Sequence, residues 1–208
     1  MLSNNVYPEA ANLVARLVDC GLLSNLAHYG EHCTEVWFQK SDLELEGFWA
    51  ASGATKACFG HVNHPDWVIK VGYTEKVKFD YARKENEIYT KAVAAGLEYY
   101  FPETKLLGIY GGLPFFIQER AECVEHAISS EWYERLRSRY EEDDEEYDPN
   151  ELWDEIDYLD DWERAMLLFG NEDLCNFLSD NGVNDLHEGN FGYVGDHIVI
   201  VDFSGFAG

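Results

Sequence analysis

The sequence predicts an α+β fold built on an antiparallel sheet, and three segments carry that prediction. Residues 43–72 alternate apolar and small residues around a glycine-rich middle, which is typical of three consecutive strands. Residues 79–97 place apolar residues at helical spacing and reach Gly96, where a helix is expected to stop. Residues 105–119 have the pattern of two further strands. The order of strands, helix and strands indicates a five-stranded antiparallel sheet with one helix beside it.

Further helices are predicted before and after this sheet. From Pro8 to about His28, apolar residues recur at helical spacing, and Pro8 suits the first turn of a helix. Between Glu141 and Glu163, fourteen of twenty-three residues are acidic, and the apolar residues among them keep a helical period, so part of this insert is expected to be an acidic helix. Residues 164–178 predict a helix that is interrupted or bent near Gly170-Asn171.

Charge excludes one broad class of function. The chain has 208 residues, with 40 Asp and Glu against 15 Lys and Arg, which gives a formal net charge of −25. Binding to nucleic acid phosphates or to anionic lipid needs clustered cations, so we expect neither direct nucleic-acid binding nor membrane docking. The hydrophobic fraction of 46% is too high for a disordered chain. The chain is therefore expected to fold around a core.

The sequence also predicts a compartment. The first ten residues lack the basic start and apolar run of a secretory signal, and no stretch is long and apolar enough to span a membrane. The five cysteines are widely spaced and contain no CxxC pair, which indicates reduced thiols rather than disulfides or a zinc site. We expect a soluble cytoplasmic protein.

The last quarter of the chain predicts a metal site. Residues 191–194 and 198–201 form a predicted hairpin, and a hairpin returns its two ends to the same place. Asn190 before it and Asp202 after it could therefore reach one divalent cation, with Asp185 beside them as a second carboxylate. Oxygen ligands of this kind suit Mg²⁺.

Several motifs resemble those of the protein kinase-like superfamily. Residues 185–190 read DLHEGN and resemble its catalytic loop, and residues 200–205 read IVDFSG and resemble its metal-binding DFG element with one residue inserted. The histidine form of the loop is more similar to the aminoglycoside and choline kinase branch, and to small bacterial or phage kinase-like proteins, than to eukaryotic enzymes. Val68–Lys70 is similar to the third-strand VAIK motif, and residues 115–119 are similar to the fifth strand and hinge. The resemblance covers roughly residues 43–205, in the order of the family.

The resemblance implies a two-lobed protein that binds ATP and Mg²⁺. Lys70 would contact the α- and β-phosphates, and Glu87 in the following helix would hold Lys70 by a charge-assisted bond, with Glu85 as a nearby alternative. The residues expected to contact the nucleotide are Ser52, Gly53, Thr55, Cys58, Lys70, Gln118, Glu119 and Ala121.

The resemblance also assigns roles in the catalytic loop. Asp185 would be the base near the acceptor hydroxyl, while Asn190 and Asp202 would hold Mg²⁺. His187 is either a group close to the phosphates or a residue that hydrogen-bonds within the loop.

The chain departs from the family pattern at three places. Only Gly53 remains of a three-glycine phosphate loop, so Ser52 or Thr55 would have to assist phosphate binding. The His-Arg pair before the catalytic Asp is replaced by Val183-Asn184, which removes the arginine that reads activation-loop phosphate. The sequence ends at Gly208, directly after the metal-binding element, so the C-terminal lobe is expected to be reduced.

These observations predict three regions and one leading function. The regions are an N-terminal helical extension (1–40), a kinase-like N-lobe (41–120) and a reduced C-lobe (121–208). The leading function is an ATP–Mg²⁺-dependent phosphotransferase whose acceptor is a protein Ser/Thr or a small hydroxyl compound. The alternative is a pseudokinase or acidic effector that mimics nucleic acid and binds a basic protein, in the host cytoplasm if the source is a phage, through residues 141–163.

Overall fold

The computed structural model describes residues 2, 6–19, 23, 26–29, 33–36, 39–52, 55–72, 80–123, 125–141 and 158–204. The chain forms two compact units. The first, which we call the sheet unit, contains Met1–Glu98 and Pro102–Arg120, and the second, which we call the helical unit, contains Tyr99–Phe101 and Ala121–Gly208. 

The sheet unit contains three helices and seven strands among its described residues. In chain order they are α1 (Val6–Asp19), β1 (Leu26–Tyr29), β2 (Cys33–Val36), α2 (Lys40–Leu45), β3 (Phe48–Ser52), β4 (Lys56–His61), β5 (His64–Gly72), α3 (Tyr81–Ala95), β6 (Thr104–Tyr110) and β7 (Leu113–Glu119).

Strands β3 to β7 form one antiparallel sheet in the order β3-β4-β5-β7-β6. The prediction of an α+β fold with a five-stranded antiparallel sheet is confirmed. Strand β5 is the middle strand, and its Lys70 lies opposite Cys58 on β4 and opposite Phe116 on β7. Strands β1 and β2 form a separate two-stranded ribbon.

One face of the five-stranded sheet packs against α1. Successive strand residues point to opposite faces, so Ile69 and Val71 share one face of β5 while Val68 and Lys70 share the other. The first pair belongs to a buried apolar cluster with Leu13 of α1. The other members from α1 and the sheet are Ala10, Val14, Leu17, Phe48, Ala57, Phe59, Trp67, Phe115 and Ile117.

The opposite face of the sheet packs against α3. The helix begins after Asp80, whose side chain accepts the Arg83 N–H, and ends at Gly96, which has a φ of 72°. At the end of β5, a Cβ added to Gly72 would lie 2.2 Å from Asp80 Oδ1, so a larger residue there would displace the side chain that caps the helix. The buried residues of α3 are Tyr81, Ala82, Glu85, Ile88 and Ala92.

The N-terminal prediction is partly wrong. Helix α1 ends at Asp19 rather than near His28, which lies on strand β1 and pairs with Thr34. The apolar period continues past Asp19 in the sequence, but Gly21 follows two residues later, where helices commonly end. A short helix, α2, also precedes β3, in a stretch whose alternation predicted only strand.

The helical unit contains three helices and one hairpin among its described residues. They are α4 (Glu125–Glu141), α5 (Asp161–Phe169), α6 (Glu172–Asp180), β8 (Phe191–Val194) and β9 (His197–Ile200). The prediction of an interrupted helix is confirmed, since α5 ends at Gly170 in the left-handed conformation and Asn171 caps α6.

The core of the helical unit joins α4 to the hairpin. Ile128, Trp132 and Leu136 lie one turn apart on α4 and are buried. The Trp132 ring packs edge-on against Phe191 of β8, with ring centroids 5.5 Å apart. The hairpin is therefore fixed to the helices through its first residue.

The predicted acidic helix falls largely on residues 142–157, which lie outside the described residues. Its last residues belong to the start of α5, where Asp160 and Glu163 form a reciprocal capping box.

Candidate active site

Lys70 is a buried lysine on the middle strand of the five-stranded sheet. It is 7% exposed, and its Nζ donates a hydrogen bond to Glu85 Oε2 at 2.9 Å. Glu85 lies on the buried stripe of α3 and is 0% exposed. Burying either charge alone would be very costly, so the two groups depend on each other.

Further polar groups surround the Glu85 carboxylate. Lys56 Nζ lies 2.8 Å from Glu85 Oε1, and Gln118 Nε2 lies 3.4 Å from Glu85 Oε2. Gln118 also donates to Thr104 Oγ1 at 2.8 Å. These buried groups form one continuous polar network on the α3 side of the sheet, and such networks fix the geometry of their members.

The predicted pairing of Lys70 with Glu87 is wrong, because Glu85 makes it. Glu87 is exposed on α3. Two residues turn a helix by about 200°, so Glu85 and Glu87 point in nearly opposite directions. Glu85 lies three residues before Ile88 on the buried stripe, and that spacing was the signal in the sequence that identifies it.

Four of the other predicted nucleotide-contacting residues come from residues 52–58 of the sheet unit. Gly53 and the side chain of Ser52 lie outside the described residues. Thr55 and Cys58 are half-buried, and Cys58 lies beside Lys70 in the sheet register.

The predicted hinge residues differ among themselves. Gln118 is 3% exposed and bonds within the polar network. Glu119 is half-buried, and its backbone N–H donates to the Glu103 carbonyl at 2.9 Å. Ala121 is half-buried in the helical unit. Sequence reasoning identified Gln118 by position, but its bond to Thr104 was not foreseen.

The hairpin of the helical unit brings its two ends together, as the sequence predicts. The Val201 N–H donates to the Asn190 carbonyl at 2.9 Å, which places Asp202 one residue from that bond. Asn190 is 7% exposed, and its Nδ2 donates to the Asp185 carbonyl at 2.7 Å. Ser204 Oγ donates to Asp202 Oδ1 at 3.2 Å. Asp185, Asn190 and Asp202 therefore belong to one local structure.

Two side chains at the start of α5 hydrogen-bond to the backbone of the DLHEGN segment, residues 185–190. The Leu186 N–H donates to Asp161 Oδ1 at 2.9 Å, and Arg164 Nη1 donates to the Leu186 carbonyl at 3.3 Å. Leu186 itself is buried. The start of α5 thus binds both backbone groups of Leu186. The side chain of the neighbouring Asp185 is 44% exposed.

His187 makes a hydrogen bond within the loop. Its Nδ1 accepts the Gly189 N–H at 3.1 Å, and its Nε2 lies 3.8 Å from Asp185 Oδ1. Of the two roles considered from the sequence, the loop hydrogen bond is present. The proximity to Asp185 places the imidazole beside the candidate base.

The helical unit also contains a cavity of about 370 Å³ that the sequence did not indicate. The cavity is lined by residues at the start of α5, by Cys175 and Leu178 of α6, and by Val183 and Leu186. Because these residues come from three segments, no local pattern marks the cavity.

Among the described residues, no group of three or more His, Cys, Asp and Glu side chains is close enough to hold a metal ion. Asn190 and Asp202 supply an amide and a carboxylate, which are oxygen donors of the kind that Mg²⁺ accepts.

No family model matches this chain, and no curated protein matches it. In the described part of the chain, no helix has the length and apolar character needed to cross a membrane.

Proposed function

We propose that this chain is an ATP- and Mg²⁺-dependent phosphotransferase with a two-lobed, protein kinase-like fold. The observation that carries the proposal is the buried ion pair between Lys70 and Glu85. The desolvation cost of a buried ion pair often exceeds its Coulombic gain, so such a pair is a poor device for stability alone. A buried pair of this kind therefore favours a functional role for Lys70.

The strand order around the Lys70–Glu85 pair supports the proposed protein kinase-like fold. The lysine lies on the third strand of a five-stranded sheet with the order β3-β4-β5-β7-β6, and its partner lies on the helix that follows that strand. This is the order of elements that the VAIK-like motif implies. Lys70 would contact the α- and β-phosphates of the nucleotide.

The hairpin supports the assignment of the metal-binding residues. Asn190 and Asp202 are adjacent through the bond from the Val201 N–H to the Asn190 carbonyl. These two side chains would hold Mg²⁺, which would neutralise charge on the phosphates. The bond from Asn190 Nδ2 to the Asp185 carbonyl fixes the amide, so that its oxygen is the atom available as a ligand.

Asp185 would act on the acceptor hydroxyl. In the transfer, the acceptor oxygen forms a bond to the γ-phosphorus while the bond from that phosphorus to the β–γ bridging oxygen breaks. ADP leaves with the bridging oxygen and its electron pair, and Asp185 accepts the hydroxyl proton. The exposed Asp185 carboxylate allows an acceptor to approach it.

Thermal unfolding with and without ATP–Mg²⁺ tests the nucleotide site. At about 100 times the dissociation constant, a ligand stabilises the folded chain by about 2.7 kcal/mol. For a chain of this size we expect the Tm to rise by roughly 5–10 °C. Lys70→Met should remove most of that Tm shift. Asp202→Asn should remove only the part of the shift that depends on Mg²⁺, which is the part that EDTA removes from the wild type.

Two matched variants serve as controls. Lys105→Met removes an exposed lysine that lies over the Tyr7 ring, and Asp196→Asn changes an exposed acid at the far end of the hairpin. Both should keep the wild-type shift. Transfer itself is measured with γ-labelled ATP in a cell lysate, wild type beside Asp185→Ala. An unchanged Tm at millimolar ATP–Mg²⁺ would contradict the proposal.

The net charge of −25 favours a second candidate function, in which the acidic chain binds a basic protein. Such binding should weaken steeply as salt rises from about 0.05 to 0.5 M, because salt screens the attraction. Binding of the basic protein should persist in Asp185→Ala, whereas phosphotransferase activity should be lost in that variant. Binding that is insensitive to salt would contradict this second candidate.

A further inference from the structure

The cavity of about 370 Å³ in the helical unit has a buried apolar floor. Leu178, Val183 and Leu186 line it, and each is at most 3% exposed. Small-molecule sites are concave, mostly apolar and roughly 300–1,000 Å³ in volume, so this cavity has the size and the lining of such a site. The apolar floor favours the hydrocarbon part of an organic molecule over a hydrated ion.

The rim of the cavity is acidic. Asp160 and Asp161 line it, and none of the described lining residues is Lys, Arg or His. Asp160 Oδ1 accepts the Glu163 N–H at 2.9 Å, and Asp161 Oδ1 accepts the Leu186 N–H at 2.9 Å. One oxygen fixes each carboxylate in place, and in the described part of the chain the other oxygen accepts no hydrogen bond. Two fixed carboxylates attract a cation and repel an anion.

Trp162 adds an aromatic ring to the same rim. It lines the cavity and is 49% exposed. Its carbonyl oxygen lies 3.9 Å from the Sγ of Cys175, which is buried on α6 and also lines the cavity. Among aromatic side chains, the indole ring makes the strongest cation–π interactions. A half-exposed tryptophan beside two carboxylates therefore suits a positively charged nitrogen.

We propose that this cavity binds a small organic amine. The ammonium group would lie at the rim with Asp160, Asp161 and Trp162, and the apolar body of the ligand would lie on the floor. The inference goes beyond the proposed function and does not depend on it, since the lining contains neither Asp185 nor the candidate metal ligands.

Three ligands that share one hydrocarbon skeleton test the charge of the recognised group. 2-Phenylethylamine is a cation at neutral pH, 2-phenylethanol is neutral and phenylacetate is an anion. Binding to the full chain is measured by ligand-observed NMR at low salt. The amine should bind with a Kd on the order of 0.1–1 mM, because a small ligand gains a limited free energy per atom. 2-Phenylethanol should bind at least about fivefold more weakly, since it lacks the attraction to the carboxylates, and phenylacetate should not bind.

Two matched pairs of variants locate the bound amine. Ser179→Phe places an aromatic ring on the cavity lining, whereas Asn176→Phe places the same ring on an exposed part of α6 outside the lining. Asp161→Asn removes a negative charge but keeps an oxygen that can accept the Leu186 N–H, and Asp173→Asn makes the same change at an exposed position outside the lining. The first variant of each pair should weaken amine binding by about three- to tenfold, and its control should bind like the wild type.

The outcomes leave the proposed function untouched and decide this inference alone. Equal binding of the amine to the wild type and to either Ser179→Phe or Asp161→Asn would place the amine elsewhere and overturn the proposal. Equal binding of 2-phenylethanol and the amine would overturn the role of the rim charges. Absence of amine binding at millimolar concentration would also overturn the proposal.

Protection of Cys175 keeps the inference testable if a variant does not fold. Cys175 lines the cavity, whereas Cys123 is exposed and outside the lining. At about ten times its Kd, 2-phenylethylamine should slow the alkylation of Cys175 by iodoacetamide about tenfold in the wild type, because the empty cavity is then about tenfold rarer. Cys123 should react at an unchanged rate, as read by mass spectrometry of peptides. Unchanged alkylation of Cys175 in the presence of the amine would overturn the proposal.

Discussion

The side chain of Asn190 donates a hydrogen bond to the backbone carbonyl of Asp185 across the turn of the catalytic-loop motif, with 2.7 Å between Nδ2 and the oxygen. The same Asn190 accepts the Val201 N–H through its own carbonyl. One asparagine thus connects the candidate base to both ends of the hairpin. Its amide is a structural element of the loop as well as a candidate metal ligand.

Asn190→Ala is expected to lower the stability of the helical unit. Asn190 is 7% exposed, so the variant removes a buried hydrogen bond and leaves the Asp185 carbonyl without that donor. The expected loss is about 1–3 kcal/mol. Urea denaturation followed by tryptophan fluorescence measures it. Asn176→Ala on the exposed side of α6 is the control and should change stability by less than about 0.5 kcal/mol. Equal effects of the two variants would contradict the structural role of Asn190.

Glu85→Ala and Glu87→Ala should differ sharply in stability. The first leaves two buried lysines, Lys56 and Lys70, without the carboxylate that both contact, and removing one partner of a buried pair costs about 3–5 kcal/mol. The second changes an exposed side chain and should cost less than about 0.5 kcal/mol.

The two variants make the same chemical change on the same helix, so the difference in their urea midpoints reports the burial of Glu85 and the loss of its ion pairs. Glu85→Gln is the intermediate case, since it keeps the shape but not the charge, and it should fall between the two. A Glu87→Ala variant as destabilised as Glu85→Ala would show that α3 is rotated from the orientation described above.

Regular periodicity made most of the fold predictable from the sequence. Strands β3 to β7, the hairpin of β8 and β9 and the break at Gly170 were all predicted, because alternation and turn glycines are local signals. The ribbon of β1 and β2 was missed, since the apolar residues of β1 continue the helical spacing of α1 in the sequence.

The site was harder to predict because the residues that contact each other there are far apart in the sequence. Glu85 and Glu87 are two residues apart on the same helix, and the order of the motifs alone does not decide which of them faces Lys70. Lys56 stands at the end of a small-residue segment and has no local sign of burial. Only the register of β4 against β5 brings it to Glu85.

His61 should make the stability of the sheet unit depend on pH. Burial lowers the pKa of His61, the hydrogen bond to the Glu46 carbonyl opposes this in part, and the nearby His64 and Arg16 lower the pKa further. In the structure, His61 Nδ1 accepts the Asn63 N–H at 3.2 Å and Nε2 lies 3.3 Å from the Glu46 carbonyl oxygen, which suits the neutral ring. The folded chain therefore favours the unprotonated form.

The direction of the effect follows from this preference. The contribution of His61 is fully present above the unfolded pKa of about 6.5, and it is lost as the pH falls below that value toward the lower folded pKa. Urea midpoints between pH 7.5 and pH 5 should fall more for the wild type than for His61→Gln. The imidazole of the neighbouring His64 lies 3.6 Å from the Glu9 carboxylate. The variant His64→Gln removes it and shows how much of the pH dependence of stability requires His64. Equal slopes for the wild type and His61→Gln would refute the assignment.

Cys175 and Cys123 should differ in thiol reactivity. Cys175 is buried on α6, its Sγ lies 3.9 Å from the Trp162 carbonyl oxygen, and burial followed by the negative charge of Glu172 raises its pKa. The thiolate is the reactive form, so a raised pKa and poor access both slow alkylation. Cys123 is exposed, and we expect iodoacetamide to modify it at least about tenfold faster at pH 8, as measured by mass spectrometry of peptides. In denaturing urea both peptides should react at similar rates, which controls for the intrinsic reactivity of the two sequences. Comparable rates in the native chain would mean that α6 opens readily enough to admit the reagent.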